Sequence, residues 1–176
     1  MMLNRQVFLV VAWAFVLALT VACATEEGPI GAEVAHGQLV GTDGATIGDF
    51  TFAQGVGGLL LYVEVEGLTP GGHGIHLHSV GACSPDFKAS AGHIDTVDKP
   101  HGLLNPDGVH DGDLPNIYAA ADGTAKAEIF TTLVELETLL DDDGSAVVIH
   151  AQPDDHVTQP IGGAGDRVGC GVIEKS

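Results

Sequence analysis

Basic side chains are scarce in this sequence: six Lys and Arg stand against twenty-four Asp and Glu, for a formal net charge of −18. Nucleic acids and anionic membrane surfaces are held by clustered Lys and Arg, so this balance excludes both as partners. Long apolar runs are missing as well, apart from residues 7–21. That run is shorter than the ~20 apolar residues a spanning helix needs. Cysteine is scarce and odd in number, at three, which leaves one thiol to be explained if the other two pair.

The apolar run has a basic residue before it, Arg5, and small residues after it at Ala22, Cys23 and Ala24, the pattern of a secretion signal. Thr20-Val21-Ala22-Cys23 resembles the lipobox of bacterial lipoproteins, in which the cysteine is lipidated. Ala22-Cys23-Ala24 also fits an ordinary signal-peptidase cut before Thr25, and an uncleaved anchor is a third option. Lipidation is preferred because it accounts for Cys23 if Cys83 and Cys170 pair. The chain then divides into a signal over 1–23, a linker over 24–30 and a domain over 31–176, enough for one hydrophobic core and too little for two. The protein is expected outside the cytoplasmic membrane, periplasmic or at the cell surface, touching lipid only through that anchor.

Within the domain, brief runs rich in Val, Ile and Leu alternate with Gly, Asp and Pro. Residues 58–68 place Leu59, Leu61, Val63 and Val65 on one face and Glu64 and Glu66 on the other, the period of a half-buried strand. Similar runs over 33–40, 45–52, 74–78, 117–120, 125–131, 145–150 and 168–173 bring the expected strands to eight. Asp-Gly turn signals at 43–44, 122–123 and 143–144 separate several of them. The expected class is all-β, an antiparallel sandwich or barrel. Residues 132–140 allow a single amphipathic helix. Segments 79–116 and 151–166 lack strand character, and loops this long inside a compact domain are usually functional.

Six of the nine histidines lie in or beside those loops: His76, His78, His93, His101, His110 and His150. His76 and His78, two apart on a strand, point to one face and can grip one ion, although such a pair can equally be a surface feature. His93, His101, His110 and Asp113 occupy a loop where core packing has no use for imidazole. Three histidines and a carboxylate match a tetrahedral zinc shell, and imidazole also suits copper. The alternative is a set of solvated loop histidines. His150 ends an apolar strand and carries a sixth imidazole toward the same region.

Gly74-Ile75-His76-Leu77-His78, the 93–113 loop, Gly112-Asp113-Leu114-Pro115-Asn116, Val148-Ile149-His150 and Gly169-Cys170-Gly171-Val172-Ile173 together resemble the copper/zinc superoxide dismutases, with matching ligand intervals across residues 31–174. The resemblance implies an eight-stranded Greek-key β-sandwich or barrel. It implies copper on His76, His78, His93 and His150, zinc on His93, His101, His110 and Asp113, and His93 bridging the two. Asp154 would link His76 to His101, Arg167 would dock superoxide beside the copper, and Cys83 would pair with Cys170. The implied activity is dismutation of superoxide to dioxygen and hydrogen peroxide, with a second copy of the chain as a partner the family allows.

Some positions depart from the family pattern. Ile75 and Ile94 replace a more usual aromatic, and Thr96 a common Pro. Segment 151–166 contains no lysine, so weaker steering of an anionic substrate is expected. Two rival readings are a copper-binding or metallochaperone-like module without turnover, and a purely structural sandwich. His36, His73 and His156 stay outside the ligand set.

Overall fold

The computed structural model describes residues 31–176; the expected signal, Cys23 and the 24–30 linker lie outside the described residues. The fold is antiparallel β. In chain order the strands are β1 (Glu33–Gly41), β2 (Thr46–Gly55), β3 (Gly58–Val65), β4 (Gly71–His73), β5 (Ile75–His78), β6 (Ile117–Ala119), β7 (Ala125–Thr131), β8 (Ala146–His150), β9 (Arg167–Val172) and β10 (Glu174–Lys175). The main sheet runs β5-β8-β9-β1-β2-β3-β7 with β10 against β1, while β4 and β6 form a separate pair. Hairpins join β1 to β2 and β2 to β3, but β3 then pairs with β7 and β5 with β8, so the chain crosses the ends of the sandwich in Greek-key fashion.

All eight expected strands form. Two short ones, β4 and β10, have too few residues to show a period. Asp-Gly turns work as expected: Asp43 Oδ1 accepts from Ala45 N at 3.0 Å, and Gly44 and Gly123 take φ of 80° and 84°, a conformation costly for any residue with a Cβ. The amphipathic helix over 132–140 shrinks to one turn, α1 (Leu136–Leu139). It buries Leu139 and leaves its acidic residues outside.

Alternation along the strands builds the core and places the site. Leu39, Phe50, Phe52, Leu59, Leu61, Ile75, Leu77, Val147 and Ile149 are buried in one cluster. On β5 and β8 the register pairs Ile75 with Ile149 and Leu77 with Val147, all inward. The intervening pairs, His76 with Val148 and His78 with Ala146, face the other way, and His150 continues that outer row. The side-chain period of two therefore carries three imidazoles to one outer face. A second small core of Ala146, Val148 and Cys170, packed by Cys83 and Phe87, lies on that face.

Candidate metal centre

The 79–116 loop returns to lie along β5. Leu77 donates to Gly112 O, Ile94 donates to Leu77 O and Gly112 donates to Ile94 O, each at 2.9 Å. Isolated bridges pair His78 with His93 and His76 with Asp113. The approach is close enough to require glycine: a Cβ on Gly112 would stand 2.2 Å from Leu77 O. Inside the same loop a 3-10 turn, Phe87–Ser90, follows the disulfide between Cys83 and Cys170, which ties the loop to β9.

Two donor clusters result. In the first, His76, His78, His93 and His150 present ring nitrogens within 4.8 Å of one another. Four of these atoms, His76 Nδ1, His78 Nε2, His93 Nε2 and His150 Nε2, are buried and have no hydrogen-bond partner. The opposite nitrogens explain which lone pairs are free. His78 Nδ1 donates to Ala91 O at 3.0 Å, His150 Nδ1 to Gly165 O at 3.0 Å, and His76 Nε2 to Asp154 Oδ2 at 2.8 Å. Each acceptor sets the tautomer and leaves the other nitrogen bare. Four unpaired buried nitrogens would be costly without a ligand, and four imidazoles suit copper.

In the second cluster Asp113 Oδ1 lies 2.8 Å from His93 Nδ1 and His101 Nδ1 and 3.5 Å from His110 Nδ1, with 3.3 Å between His110 Nδ1 and His93 Nδ1. Ligands at ~2.0 Å on a tetrahedral ion stand about 3.3 Å apart; the two His110 edges match this, and the two 2.8 Å contacts are hydrogen bonds that an ion would spread. His93 contributes Nε2 to the first cluster and Nδ1 to the second, so one ring faces both. Asp113 is held further by Gly102 N at 2.8 Å and His110 N at 3.1 Å, both donating to Oδ2.

Asp154 connects the clusters, accepting from His76 Nε2 at 2.8 Å and from His101 Nε2 at 3.1 Å. Gly162 makes room for it, since a Cβ there would collide with the carboxylate. Burial pushes His76, His78 and His150 down to about 3, 2 and 4, and lowers His93 as well. Burial opposes the charged form of His101 too, but hydrogen bonds and charge from Asp113 and Asp154 raise it to about 9. Both carboxyls are held well below the usual carboxylate range: burial works against this, and the histidine hydrogen bonds, His101 foremost, outweigh it.

Arg167 opens β9 opposite His150. Its Nη1 donates to Phe87 O at 2.6 Å and Ser90 Oγ at 3.0 Å, and its Nη2 donates to Ala91 O at 2.6 Å. The guanidinium is thus fixed by carbonyls of the metal loop, and its charge helps depress His78 and His150. A surface cleft lined by His150, Gly165, Arg167, Ala91 and Lys88 reaches this position. Lys88, a cation outside segment 151–166, lines the same cleft.

Three further residues act on the site and had no ligand-like signal in the sequence. His73 is buried and lies 2.7 Å from both His150 O and Thr69 O, anchoring the end of β8. Asn116 donates through Nδ2 to Asp154 O and accepts at Oδ1 from Asp154 N, both at 2.8 Å. Gln159 reaches the main chain of His101. Amide and imidazole contacts to backbone follow from tertiary placement, although Asn116 does close the Gly112–Asn116 motif. His156 sits near Asn116 and Asp154, and His36 lies outside the site at the β1 edge, 3.0 Å from Ser176 Oγ.

A Greek-key β-sandwich whose outer face holds two nitrogen-rich clusters sharing one imidazole defines a binuclear metalloprotein. Residues 46–173 match the family model for copper/zinc superoxide dismutase (SODC), and the chain belongs to that family. It is 54% identical over 140 residues to a Caulobacter vibrioides superoxide dismutase [Cu-Zn], covering 75% of this chain and 80% of that one. It is 39% identical over 146 residues to an Aquifex aeolicus superoxide dismutase [Cu-Zn], covering 79% and 85%. Among solved structures, the Cu/Zn superoxide dismutase of Brucella abortus superposes with a TM-score of 0.71 at 30% identity, covering 81% of this chain and all of that one.

Proposed function

We propose that this chain dismutes superoxide to dioxygen and hydrogen peroxide, with copper on His76 Nδ1, His78 Nε2, His93 Nε2 and His150 Nε2, and zinc on His93 Nδ1, His101 Nδ1, His110 Nδ1 and Asp113 Oδ1. The observation that carries this reading is the convergence of four buried imidazole nitrogens without hydrogen-bond partners. Copper, when bound, supplies one-electron chemistry by alternating between two oxidation states. The protein supplies position and charge. Arg167, held by three hydrogen bonds beside His150, offers a fixed cation to a small anion entering the cleft. His93 Nε2, when it is not engaged by copper, would be the atom that holds a proton, while Nδ1 stays turned toward Asp113, His101 and His110. Asp154 keeps the rings of His76 and His101 in the tautomers the two clusters require.

Residues 1–23 act as an export signal ending at a lipidated Cys23, residues 24–30 as a tether, and 31–176 as the catalytic domain, placed in the periplasm or at the cell surface. A disulfide-bonded domain suits that oxidising side of the membrane. Cys23→Ser is expected to release the protein from membranes and abolish fatty-acid labelling.

The deciding experiment measures metal content and superoxide dismutation for wild type, His150→Ala and Arg167→Ala. One copper and one zinc per chain, loss of turnover in His150→Ala and a fall of about tenfold or more in Arg167→Ala are expected. Stoichiometric metals without turnover in the wild type would instead assign the chain to metal-binding modules.

A further inference from the structure

His101 is fully buried, belongs to no strand or helix, and makes no backbone-to-backbone hydrogen bond among the described residues. Buried N–H and C=O groups require partners. Here one side chain provides both. Gln159 Oε1 accepts from His101 N at 2.9 Å and Gln159 Nε2 donates to His101 O at 2.8 Å. The amide thereby makes the two-way contact that a neighbouring strand would otherwise provide. Gln159 Nε2 also donates to Val157 O at 2.9 Å, which orients it from within its own loop. Asn105 Nδ2 gives His101 O a second donor at 3.0 Å, so His101 N is the group that depends on Gln159 alone.

Gln159 is 58 residues from His101, on the opposite long loop. Five residues before it stands Asp154, whose Oδ1 accepts from the far nitrogen of the same His101 ring at 3.1 Å. Segment 154–159 thus grips His101 twice, once at the ring and once at the main chain, with Nδ1 left to face Asp113. Asn116 makes the reciprocal contact, an amide from the metal loop bonded in both directions to the backbone of Asp154. Each loop therefore lends one amide to the other's metal-shell residue.

We propose that Gln159 is a positioning residue that retains zinc, by clamping the main chain of His101 from the 151–166 loop. The proposal rests on the assignment of His101 to zinc. Gln159 is itself exposed while the groups it satisfies are buried. Its removal deletes no core packing and strips a partner from a buried N–H, so the effect falls on the aim of one ring rather than on the sandwich.

The test loads the full mature protein with copper and zinc and follows zinc release to a chelating dye, copper release, and the thermal midpoint of the metal-free form. Gln159→Leu is expected to release zinc about tenfold faster, with copper release as in wild type and a small drop in the metal-free midpoint from the unpaired His101 N. Gln159→Glu keeps the acceptor for His101 N and loses the donor to His101 O, and is expected to fall between the two. Zinc release at the wild-type rate in Gln159→Leu overturns the clamp. Faster loss of both metals to the same extent also overturns it, by assigning Gln159 to general stability. A wild-type protein that takes up no zinc removes the zinc assignment itself, and this is seen before any substitution is made.

Discussion

The two halves of the metal centre are built by different means. Three of the four histidines proposed for copper stand on β5 and β8, where strand register and the two-residue side-chain period decide their direction. Of the residues proposed for zinc, His101 and His110 stand in loop without regular structure and are aimed by hydrogen bonds from side chains and backbone, while Asp113 is bridged to His76 of β5. A strand-borne site inherits its precision from the core behind it, here Ile75, Leu77, Val147 and Ile149. A loop-borne site has to be held by its own contacts, which is why Asp154 and Gln159 converge on it. His93 belongs to both, since a backbone bridge fixes it to His78 while its ring spans the two clusters.

Four changes test this contrast, in falling order of effect. His150→Ala removes a strand ligand and should eliminate dismutation while zinc content stays near one per chain, as read by elemental analysis. Asp154→Asn cuts the link shared by the halves, and should weaken retention of both metals by about 10–100-fold in chelator competition. Cys83→Ser with Cys170→Ser frees the metal loop from β9, and should cost ~2–5 kcal/mol in denaturant unfolding of the metal-free protein. Lys88→Glu places a negative charge in the cleft and should slow turnover by about threefold to tenfold at low salt, a difference that closes as ionic strength rises.

Acid and alkali should separate the halves as well. His76, His78 and His150 are lowered from about 6.5 by burial, so the folded metal-free protein binds fewer protons than the unfolded chain below that pH. Stability is then expected to fall as pH drops from about 6.5 toward 4. His101 is raised to about 9, so its contribution is full below about 6.5 and is lost as pH rises through 9. Denaturant midpoints at pH 5, 7 and 9.5 check this. His150→Ala should make the acid limb shallower, with His76 and His78 still contributing, and Asp154→Asn should reduce the alkaline one.

What could be read from the chain differs between the halves for the same physical reason. Alternation along 58–68 and the Asp-Gly turns made the strands legible, because local periodicity reports which face is buried. The histidine and aspartate ligand candidates were legible as residue types that a Gly- and Asp-rich loop has no packing use for. The helix over 132–140 was overestimated, because the chain must turn into the 141–144 bend before β8 and only one turn of it packs. His73 behind His150 and the Asn116 and Gln159 amides were not legible, since each acts on a main-chain atom across 38 to 77 residues of chain, and Lys88 reaches the cleft only through the fold.

The sequence by itself determined the all-β class, the positions of the eight principal strands, and the set of imidazoles and carboxylates available to metals, because composition and short-range period are local properties. Only the tertiary structure decided which nitrogen of each ring is free, since that depends on Ala91 O, Gly165 O and Asp154 arriving from distant segments. It alone decided that His93 faces two clusters, because this follows from the way the 79–116 loop pairs with β5, a contact no local pattern encodes.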